Sequence, residues 1–525
     1  MFEEILEPLL SDSADPVAAG WQLRNLAEAS AGNGPQLLGE LTQRASRLPR
    51  ADPAIVGGLL RVVQSSLLNM GWPTIESLDP ESIRLIEASL PRDAPNRFLL
   101  QQLYAMVRTD ASLALLVESL HENPPRQWIE AAQILSPLMQ RRDWPVASIY
   151  PAILDGLQHP SLAAPLLDLA SHVYREGLVA EHPAANRLAM LNLLLGEVVG
   201  RLNLFEENPR SFGDDVDTVQ MKLGEAVALA VSLCDTLGLI GDESSIGKLT
   251  QAMDLRHRRV QCEAAGALAR FDDEDGKKRL IELTAEPAAR LRAIHYADEL
   301  GLGELVDESF RSDKSTAEAE LALWLTQPQQ MGVPPTLVEV IDSRRLLWPS
   351  FDDPVDVFLV RFEYNLGDRT YSNVGIAGPA VFSMSADVAN LPLDDIYAIY
   401  AGWHAEHDEI FAVPADQFNE AQLRLMESLQ QHLQRVGYQQ PRPALLGFFL
   451  DEQGVLLAVF SRRSNVEHGD KVVLGLAEHE AHVIGDAQGL FRTVGAQQHV
   501  AASFGQGAAA DPDGKVDVLP QHAAA

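Results

Sequence analysis

A run of aromatic and histidine residues between positions 397 and 411 is the strongest candidate for chemistry in this sequence. Its members follow steps of three and four, which places them along one stripe of a helix: Tyr397, Tyr400, His404, His407 and Phe411, with Trp403 adjacent. Two histidines three residues apart, beside carboxylates, could ligate a metal ion or act as an acid–base pair. The spacing His-Ala-Glu-His fits neither zinc-protease motif. We expect an amphipathic helix whose aromatic side chains pack on a sheet, so this is a speculative binding cluster without assigned catalytic or metal residues.

A second polar cluster, Glu478-His479-Glu480-Ala481-His482, could supply further ligands. In an extended strand Glu478, Glu480 and His482 share one face. Nothing in the sequence brings this segment to the helix that carries His404. A charged hairpin rim is therefore the preferred interpretation, and no cofactor is predicted.

The acidic segment 271–276 partly resembles a calcium-binding loop. With Gly276 at the sixth position, Asp273, Asp275 and Glu282 fall at ligand positions, but the first ligand would be Phe271, whose side chain offers no oxygen. A turn between helices explains the segment better, because acidic residues there lie near the positive N-terminal end of the next helix.

Other signatures of catalysis are missing from the sequence. Cys234 and Cys262 are too few for a disulfide framework or a cysteine zinc site, and both lie among small apolar residues. The glycines at 301–303 and 375–378 lack the partners of a nucleotide-binding loop, and there is no Gly-x-Ser-x-Gly elbow. We therefore expect a protein that is not an enzyme.

The charge balance restricts the class of partner. The chain has 41 Lys and Arg against 74 Asp and Glu, which gives a formal net charge of −33. Such a chain repels nucleic-acid phosphates and anionic membrane surfaces. Protein partners with basic or neutral surfaces are expected instead, with no nucleic acid and no membrane.

The N-terminal residues do not predict a secretory signal, because Glu3 and Glu4 stand where such a signal needs positive charge. The most apolar helical stretch, Leu188 to Gly200, is interrupted by Asn192 and Glu197 and is shorter than the roughly 20 residues that span a bilayer. We expect a cytoplasmic protein.

Residues 1–328 have the pattern of helices separated by Pro, Gly, Asp and Asn. Apolar residues recur at three- and four-residue steps over the predicted helices Pro53–Asn69, Asn96–Val107, Gln127–Met139, Ala147–Leu157, Leu162–Tyr174 and Asn186–Leu204. Short antiparallel helices of this kind form either a bundle or a solenoid, and internal repetition distinguishes the two. For residues 1–220 both remain open.

Repetition is visible from about residue 228 to 310. Three pairs occupy matching places, 31 and then 32 residues apart: Leu237-Gly238, Leu268-Ala269 and Leu300-Gly301. A small residue stands three positions before each Leu: Cys234, Ala265 and Ala297. A small residue there lets neighbouring helices approach closely, the Leu fills the layer between repeats, and the Gly or Ala is expected to end the helix.

These residues resemble HEAT repeats, especially the short variety of bilin-lyase-like HEAT proteins. The best matches are Ala264-Ala265-Gly266-Ala267-Leu268 with Asp273 and Gly276, and Glu286-Pro287 with Leu291-Arg292, Ala297 and Leu300-Gly301. The resemblance covers about three repeats. It implies a HEAT-like α-solenoid of antiparallel helix pairs and a tendency to bind proteins, without implying bilin chemistry.

The sequence pattern changes at a linker with Pro328, Gly332, Pro334 and Pro335. The predicted strands after it are Thr336–Ile341, Val355–Tyr364, Arg369–Ile376, Ala444–Leu450, Val455–Ser461 and Lys471–Ala477, with helices at Asp394–Phe411 and Asn419–Val436 and a hairpin turn at 365–368. This order predicts an α+β domain over 329–504 with an antiparallel sheet and helices on one face, followed by a disordered tail over 505–525.

The fold class is therefore mainly α, with a helical-repeat domain over 1–328 and the α+β domain after it. The preferred function is a non-catalytic protein-interaction scaffold or adaptor with an acidic surface. The alternative is a metal-dependent enzyme, or a small-molecule-binding module, in the C-terminal domain around Trp403, His404 and His407.

Overall fold

The structure is a computed structural model that describes residues 2–11, 16–327, 330–346, 348, 351, 353–366, 369–384 and 388–404, and beyond these only eight strands that end at residue 517. The chain divides into two compact units. The helical unit comprises Met1–Leu283 with Tyr296–Leu302, and the sheet unit comprises Thr284–His295 with Gly303–Ala525. This division falls upstream of the boundary expected at residue 328.

The described part of the chain up to residue 302 is helical throughout. Its α-helices are α1 (Glu3–Leu9), α2 (Pro16–Ser30), α3 (Gly34–Gln43), α4 (Pro53–Met70), α5 (Trp72–Glu76), α6 (Pro80–Ser89), α7 (Arg97–Val107), α8 (Asp110–Glu122), α9 (Trp128–Met139), α10 (Pro160–Arg175), α11 (Leu188–Glu207), α12 (Val216–Ile240), α13 (Ile246–Met253), α14 (Arg258–Arg270), α15 (Glu274–Leu283) and α16 (Pro287–Glu299). Asp52 caps α4 by accepting from the Ala54 N–H at 2.7 Å, and Asp215 caps α12 by accepting from the Thr218 N–H at 2.8 Å.

Successive helices of the helical unit pack on one another. α7 packs on α9, α9 on α10, α10 on α12, α12 on α14, and α14 on both α13 and α15. Their buried Leu, Val, Ile and Ala side chains form one continuous core from Phe2 to Leu268. Hydrophobic burial along the length of the unit therefore stabilises these helices more than any single contact does.

One predicted helix is wrong. Over Ala147–Leu157 the chain forms two short 3₁₀-helices, Val146–Ser148 and Ala152–Gln158. Pro151 has no backbone N–H to donate and its ring crowds the preceding turn, which disfavours a continuous α-helix over this segment. The other five predicted helices are confirmed, with ends within a few residues of those expected.

The proposed repeat positions match in α12 and α14 but shift in α16. Leu237 and Leu268 are fully buried near the C-terminal ends of α12 and α14. A residue in the left-handed conformation follows each of them by four positions, Gly241 in one case and Asp272 in the other. The corresponding left-handed residue after α16 is Gly301, which follows Ala297 by four. Ala297 therefore occupies the repeat position that was predicted for Leu300. Leu300 itself lies half-buried in the turn.

Gly238 lies inside α12 and does not end it. A Cβ atom at Gly238 would lie 2.8 Å from the Cβ of Ala267, so α12 and α14 approach closely at this point. Ala269 likewise lies inside α14. These two small residues thus permit close helix packing, and the expectation that they terminate their helices is wrong.

Two segments of the helical unit have the length and apolar composition that a membrane crossing requires, Ala185–Glu207 and Asp217–Ile240. The first is 28% buried and the second 61% buried. The first extends past Gly200, beyond the stretch judged too short from the sequence. Core helices of folded domains have the same length and composition, so these two features do not decide between the two environments.

The sheet unit contains α17 (Asp313–Leu325), a four-stranded antiparallel sheet and α18 (Leu393–His404). The strands are β1 (Leu337–Leu346), β2 (Val355–Leu366), β3 (Arg369–Ala377) and β4 (Phe382–Ser383), ordered β1-β2-β3-β4. Leu366 pairs with Arg369, which confirms the predicted hairpin. The register shifts between Val340 and Asp342, where a bulge bends β1.

The two helices lie on opposite faces of this sheet. On one face the Leu321 side chain of α17 lies against Gly375 of β3, so close that an added Cβ atom at Gly375 would be 2.8 Å from it. On the other face the Tyr400 ring of α18 lies 5.3 Å from the ring of Phe382, which pairs with Ile376, the residue after Gly375. Adjacent strand residues point to opposite sides of a sheet. α17 precedes the boundary expected at residue 328, and the predicted helix Asn419–Val436 lies outside the described residues, so the packing of the two predicted helices on one face stays a prediction.

The remaining described strands form two further antiparallel sheets. They are β5 (Phe411–Val413), β6 (Arg442–Phe448), β7 (Val455–Ser461), β8 (Val473–Leu474), β9 (Glu480–Asp486), β10 (Phe491–Val494), β11 (Ala508–Ala510) and β12 (Val516–Asp517). Their orders are β10-β9-β7-β6-β5 and β12-β11-β8. Phe411 lies in a strand, so the helix predicted to reach it ends earlier, at His404. β11 and β12 lie in the segment predicted to be a disordered tail, and the predicted helix Asn419–Val436 lies outside the described residues.

Candidate functional site

The aromatic and histidine cluster of the C-terminal region is only partly described. Tyr397, Tyr400 and His404 lie on α18, and Trp403 lies on the same helix without a described side chain. His407 lies outside the described residues. Side chains of the cluster are therefore described for Tyr397, Tyr400 and His404.

His404 is held by a neighbour that the sequence did not indicate. The indole N–H of buried Trp348 donates to His404 Nδ1 at 2.8 Å, and the Phe382 ring lies 6.2 Å from the imidazole. An indole nitrogen can only donate, so Nδ1 is an acceptor and the proton of the neutral ring is on Nε2. This arrangement orients the imidazole and occupies the nitrogen that a metal ion would otherwise take on that side.

The two tyrosines of the cluster are packing residues. The Tyr400 hydroxyl donates to the Val374 carbonyl at 2.6 Å, and the Arg344 guanidinium lies 4.7 Å from the centre of the Tyr397 ring. Burial raises the pKa of both phenols, and the nearby Asp342 carboxylate adds to the rise at Tyr397. Both side chains therefore remain neutral and fix α18 on the sheet.

The second predicted cluster is not brought to the first. Glu480 and His482 lie in β9, where His482 pairs with Val459 on one side and Val494 on the other. β9 is therefore an interior strand, and the expected hairpin rim is wrong for these two residues. Glu478 and His479 lie outside the described residues. Among the side chains that the structure describes, no group of three His, Cys, Asp or Glu could hold a metal ion.

A different polar site lies in the helical unit, and it was not predicted from the sequence. We define the polar seam as five residues from four helices: Asp168 and Arg175 of α10, Asp235 of α12, Glu263 of α14 and Tyr296 of α16. The Arg175 guanidinium forms a bidentate ion pair with Asp235, one arm of which is 2.8 Å long. The Tyr296 hydroxyl lies 2.5 Å from Glu263 Oε2 and 3.3 Å from Asp235 Oδ1.

Helix spacing explains the alignment of the seam. Asp168 and Arg175 are two turns apart on one face of α10. Gly266 follows Glu263 by three residues on α14, and the Tyr296 ring lies against it, because a Cβ at Gly266 would be 2.7 Å from the ring carbons. The missing side chain at Gly266 therefore gives the Tyr296 hydroxyl access to the two carboxylates.

Replacing Gly266 by Ala is expected to lower the free energy of unfolding by about 1–3 kcal/mol, because the added methyl group would overlap the Tyr296 ring in a packed interior. Urea denaturation of the purified protein measures the change. The matched control is Gly247→Ala in α13, where a Cβ meets nothing within 4 Å. That control should stabilise the helix by up to about 1 kcal/mol, and an equal effect of both substitutions would contradict the packing argument.

Asp168 is exposed, as is Arg175, and its acidity is unusual. Desolvation by the surrounding protein atoms is the main cause that raises its pKa to about 6, although the residue keeps a solvent-accessible surface. A hydrogen bond from Ser232 opposes the rise, and the negative charges of Asp235 and Glu263 add to it. Such a carboxylate gains more than an ordinary surface Asp when a positive group approaches.

His182 lies buried beside the seam. Its Nδ1 accepts from the Ala184 N–H at 3.2 Å, and its Nε2 lies 3.3 Å from Ser171 Oγ, which in turn lies 3.1 Å from Thr236 Oγ1. Burial lowers the pKa of His182 to about 4, and the Asp235 carboxylate only partly opposes this. The folded protein therefore keeps His182 neutral in a pH range where an unfolded chain would protonate it.

We expect the protein to lose stability as the pH falls from about 6.5 to 4, because the unfolded state then binds a proton at His182 that the folded state does not. This group can remove up to about 3 kcal/mol over that interval. The His182→Gln variant should unfold with a weaker pH dependence, measured by urea midpoints between pH 4 and 7. An unchanged pH dependence would contradict this assignment. His257, whose pKa burial and Arg259 also lower to about 4, adds a second contribution that His257→Gln would remove.

No known protein family has a model that matches this chain, and no curated protein matches it.

Proposed function

We propose that this protein is a non-catalytic protein-interaction scaffold or adaptor whose helical unit is a HEAT-like α-solenoid. The sequential packing of α9, α10, α12 and α14, each on the next, supports this arrangement. The close approach at Gly238 and the matched helix ends after Leu237 and Leu268 support a repeated unit.

The observation that carries the proposal is the polar seam. In a helical array, residues at equivalent places on successive helices line one surface, and such surfaces are where helical-repeat proteins bind partners. Asp235, Glu263 and Tyr296 are buried between the helices. The seam reaches solvent at Asp168 and Arg175 of α10. A carboxylate with a raised pKa that solvent can reach is a candidate for binding a cationic group.

The chemistry of the seam favours a cationic partner. A lysine or arginine side chain placed on Asp168 would relieve the repulsion from Asp235 and Glu263. These two carboxylates share the Tyr296 hydroxyl, and Asp235 also pairs with Arg175. The net charge of −33 attracts the same class of partner over longer distances. We infer that the partner is a protein with an exposed basic segment, met in the cytoplasm.

The alternative of a metal-dependent or small-molecule site in the C-terminal region has less support. His404 Nδ1 already accepts from Trp348, and the Tyr400 hydroxyl is engaged with the sheet. The sheet unit is better regarded as a second binding module of the chain.

The test is quantitative affinity capture from the native cell lysate with the full chain as bait. Asp168→Lys should lose the captured partners at least tenfold, because one substitution reverses the charge that contacts them. The matched control is Glu118→Lys on α8, which reverses an equally exposed charge away from the seam.

Capture that is equal for wild type and Asp168→Lys would refute the seam as the binding surface. Equal loss in both variants would mean that total charge, and not this site, retains the partners. Circular dichroism of each variant verifies that its helices are intact.

A further inference from the structure

The outer face of α11 exposes large apolar side chains. Its inner face is buried through Leu191, Leu195, Val198, Val199 and Leu202. On the opposite side Leu193 is 62% exposed and Leu204 is 53% exposed. These two leucines are exposed apolar contact points toward the two ends of one helix face, and their burial against a partner would be favourable.

The exposed residues follow a single line along the helix. Leu193, Glu197, Gly200 and Leu204 are separated by steps of four, three and four, the spacing of a helix-pairing seam. At Gly200 an added Cβ would meet nothing within 4 Å, so the surface is open there. The line thus has an apolar side chain at each end and a gap beside its middle.

The residues of this line can pair with the same residues of a second α11 that runs in the opposite direction. If a second α11 lies antiparallel so that Leu193 faces Leu204 of the other copy, Glu197 faces the gap at Gly200. Glu197 then reaches the neighbouring Arg201 of the other copy, and both of these side chains are exposed. Each apolar end meets an apolar end and each negative charge meets a positive one, as a two-fold interface requires.

We propose that two copies of this chain associate through the outer face of α11, antiparallel about a two-fold axis between residues 198 and 199. A lipid surface is the competing occupant of an apolar helix, but Glu197 lies in the middle of this face and would be buried without a partner in hydrocarbon. A second copy supplies that partner through Arg201.

The interface is small, which sets the expected strength. A helix of 20 residues is about 30 Å long, and one pair of such helices buries less than about 1,200 Å² in total. The dimer is therefore concentration dependent and in exchange with the monomer at micromolar protein.

The first test is the mass of the full chain by light scattering between about 1 and 200 μM, a range chosen to bracket weak association. The mass should rise from 57.4 kDa toward twice that value. The double variant L193E/L204E should stay monomeric at every concentration. The matched control is L305E, because Leu305 is also 62% exposed but lies outside α11.

The second test uses charge exchange, which leaves the apolar contacts in place. E197R alone and R201E alone should each weaken the dimer about tenfold by placing like charges together. The combined variant E197R/R201E should restore it, because the pair is rebuilt with reversed signs. Failure of the combined variant to restore association would overturn the proposed register.

The third test is a disulfide between copies. Positions 193 and 204 are about 16 Å apart within one helix, too far for an internal bond, but they face each other across the proposed axis. Oxidised L193C/L204C should give a covalent dimer, and L193C or L204C alone should not. A wild-type chain that stays monomeric at 200 μM overturns the proposal. Flotation of that monomer with phosphatidylcholine–phosphatidylglycerol vesicles, lost in L193E/L204E, would assign the face to lipid.

Discussion

Arg97→Met is expected to lower the free energy of unfolding by about 3–5 kcal/mol, the loss typical of leaving one member of a buried ion pair alone. Arg97 and Glu87 are both almost completely buried, with Arg97 Nη1 lying 3.3 Å from Glu87 Oε1. Arg97 also donates to the carbonyls of Leu90 at 3.0 Å and Pro91 at 2.8 Å. The substitution removes all of these bonds and leaves the Glu87 carboxylate without its cation.

The remaining partners of Glu87 make the effect large. The Tyr104 hydroxyl donates to Glu87 Oε2 at 3.1 Å and the Ser119 hydroxyl contacts Oε1, so the carboxylate joins α6, α7 and α8. Urea denaturation of wild type and variant gives the difference. The control is Arg84→Met on α6, whose ion pair with Glu81 is half exposed and screened by solvent, so its loss should have a much smaller effect. Equal effects of the two substitutions would contradict the role of burial.

Arg290→Met is expected to destabilise the sheet unit by a similar amount, about 3–5 kcal/mol. Arg290 is buried and donates to the carbonyls of Thr284 at 3.0 Å and Ser315 at 2.7 Å, and to Glu318 Oε2 at 3.0 Å. Glu318 in turn accepts from the Val340 N–H at 3.3 Å. One guanidinium therefore connects the start of α16 to α17, and through Glu318 to β1.

Hydrogen exchange measures this effect locally. In Arg290→Met the amides of α17 and β1 should exchange faster by a factor of about 100 or more, which corresponds to the lower range of the predicted free energy. The control is Arg361→Met on β2, whose ion pair with Glu339 is exposed. If α17 and β1 keep their protection in Arg290→Met, the connecting role of Arg290 is refuted.

The sequence predicted most of the helices and strands because each is determined by local pattern. α4 begins where Asp52 and Pro53 provide a cap and a first turn, and β2 and β3 are joined by a hairpin that the turn residues indicate. Local patterns did not predict every boundary between helices and strands. The helical spacing of aromatic residues continues to Phe411, but Phe411 lies in a strand, and the described helix α18 extends from Leu393 to His404.

Coverage of the sheet on both faces could not be predicted in the same way. Ala317, Leu321 and Leu325 give α17 an apolar stripe that continues the helical pattern of the first 300 residues. Nothing in that stripe specifies its partner, which is the face of β2 that carries Val360 and Phe362. Only the three-dimensional contact assigns α17 to the sheet.

The candidate sites show the same limit. The packing of Tyr400 follows from its place in the stripe, whereas the bond between Trp348 and His404 joins residues far apart in sequence. The polar seam was missed because its members lie on four separate helices. A weak signal was present, since Asp168 and Asp235 each interrupt an otherwise apolar stretch.

Because the pKa of Asp168 is raised, a complex formed at this residue is expected to release protons. Its raised pKa lets this carboxylate retain a proton in the mildly acidic range, so a cation that docks on it there displaces protons. The released protons are taken up by the buffer. Heats of association measured in buffers with different ionisation enthalpies would then differ at pH 6 and converge near pH 8, where the carboxylate is already fully ionised.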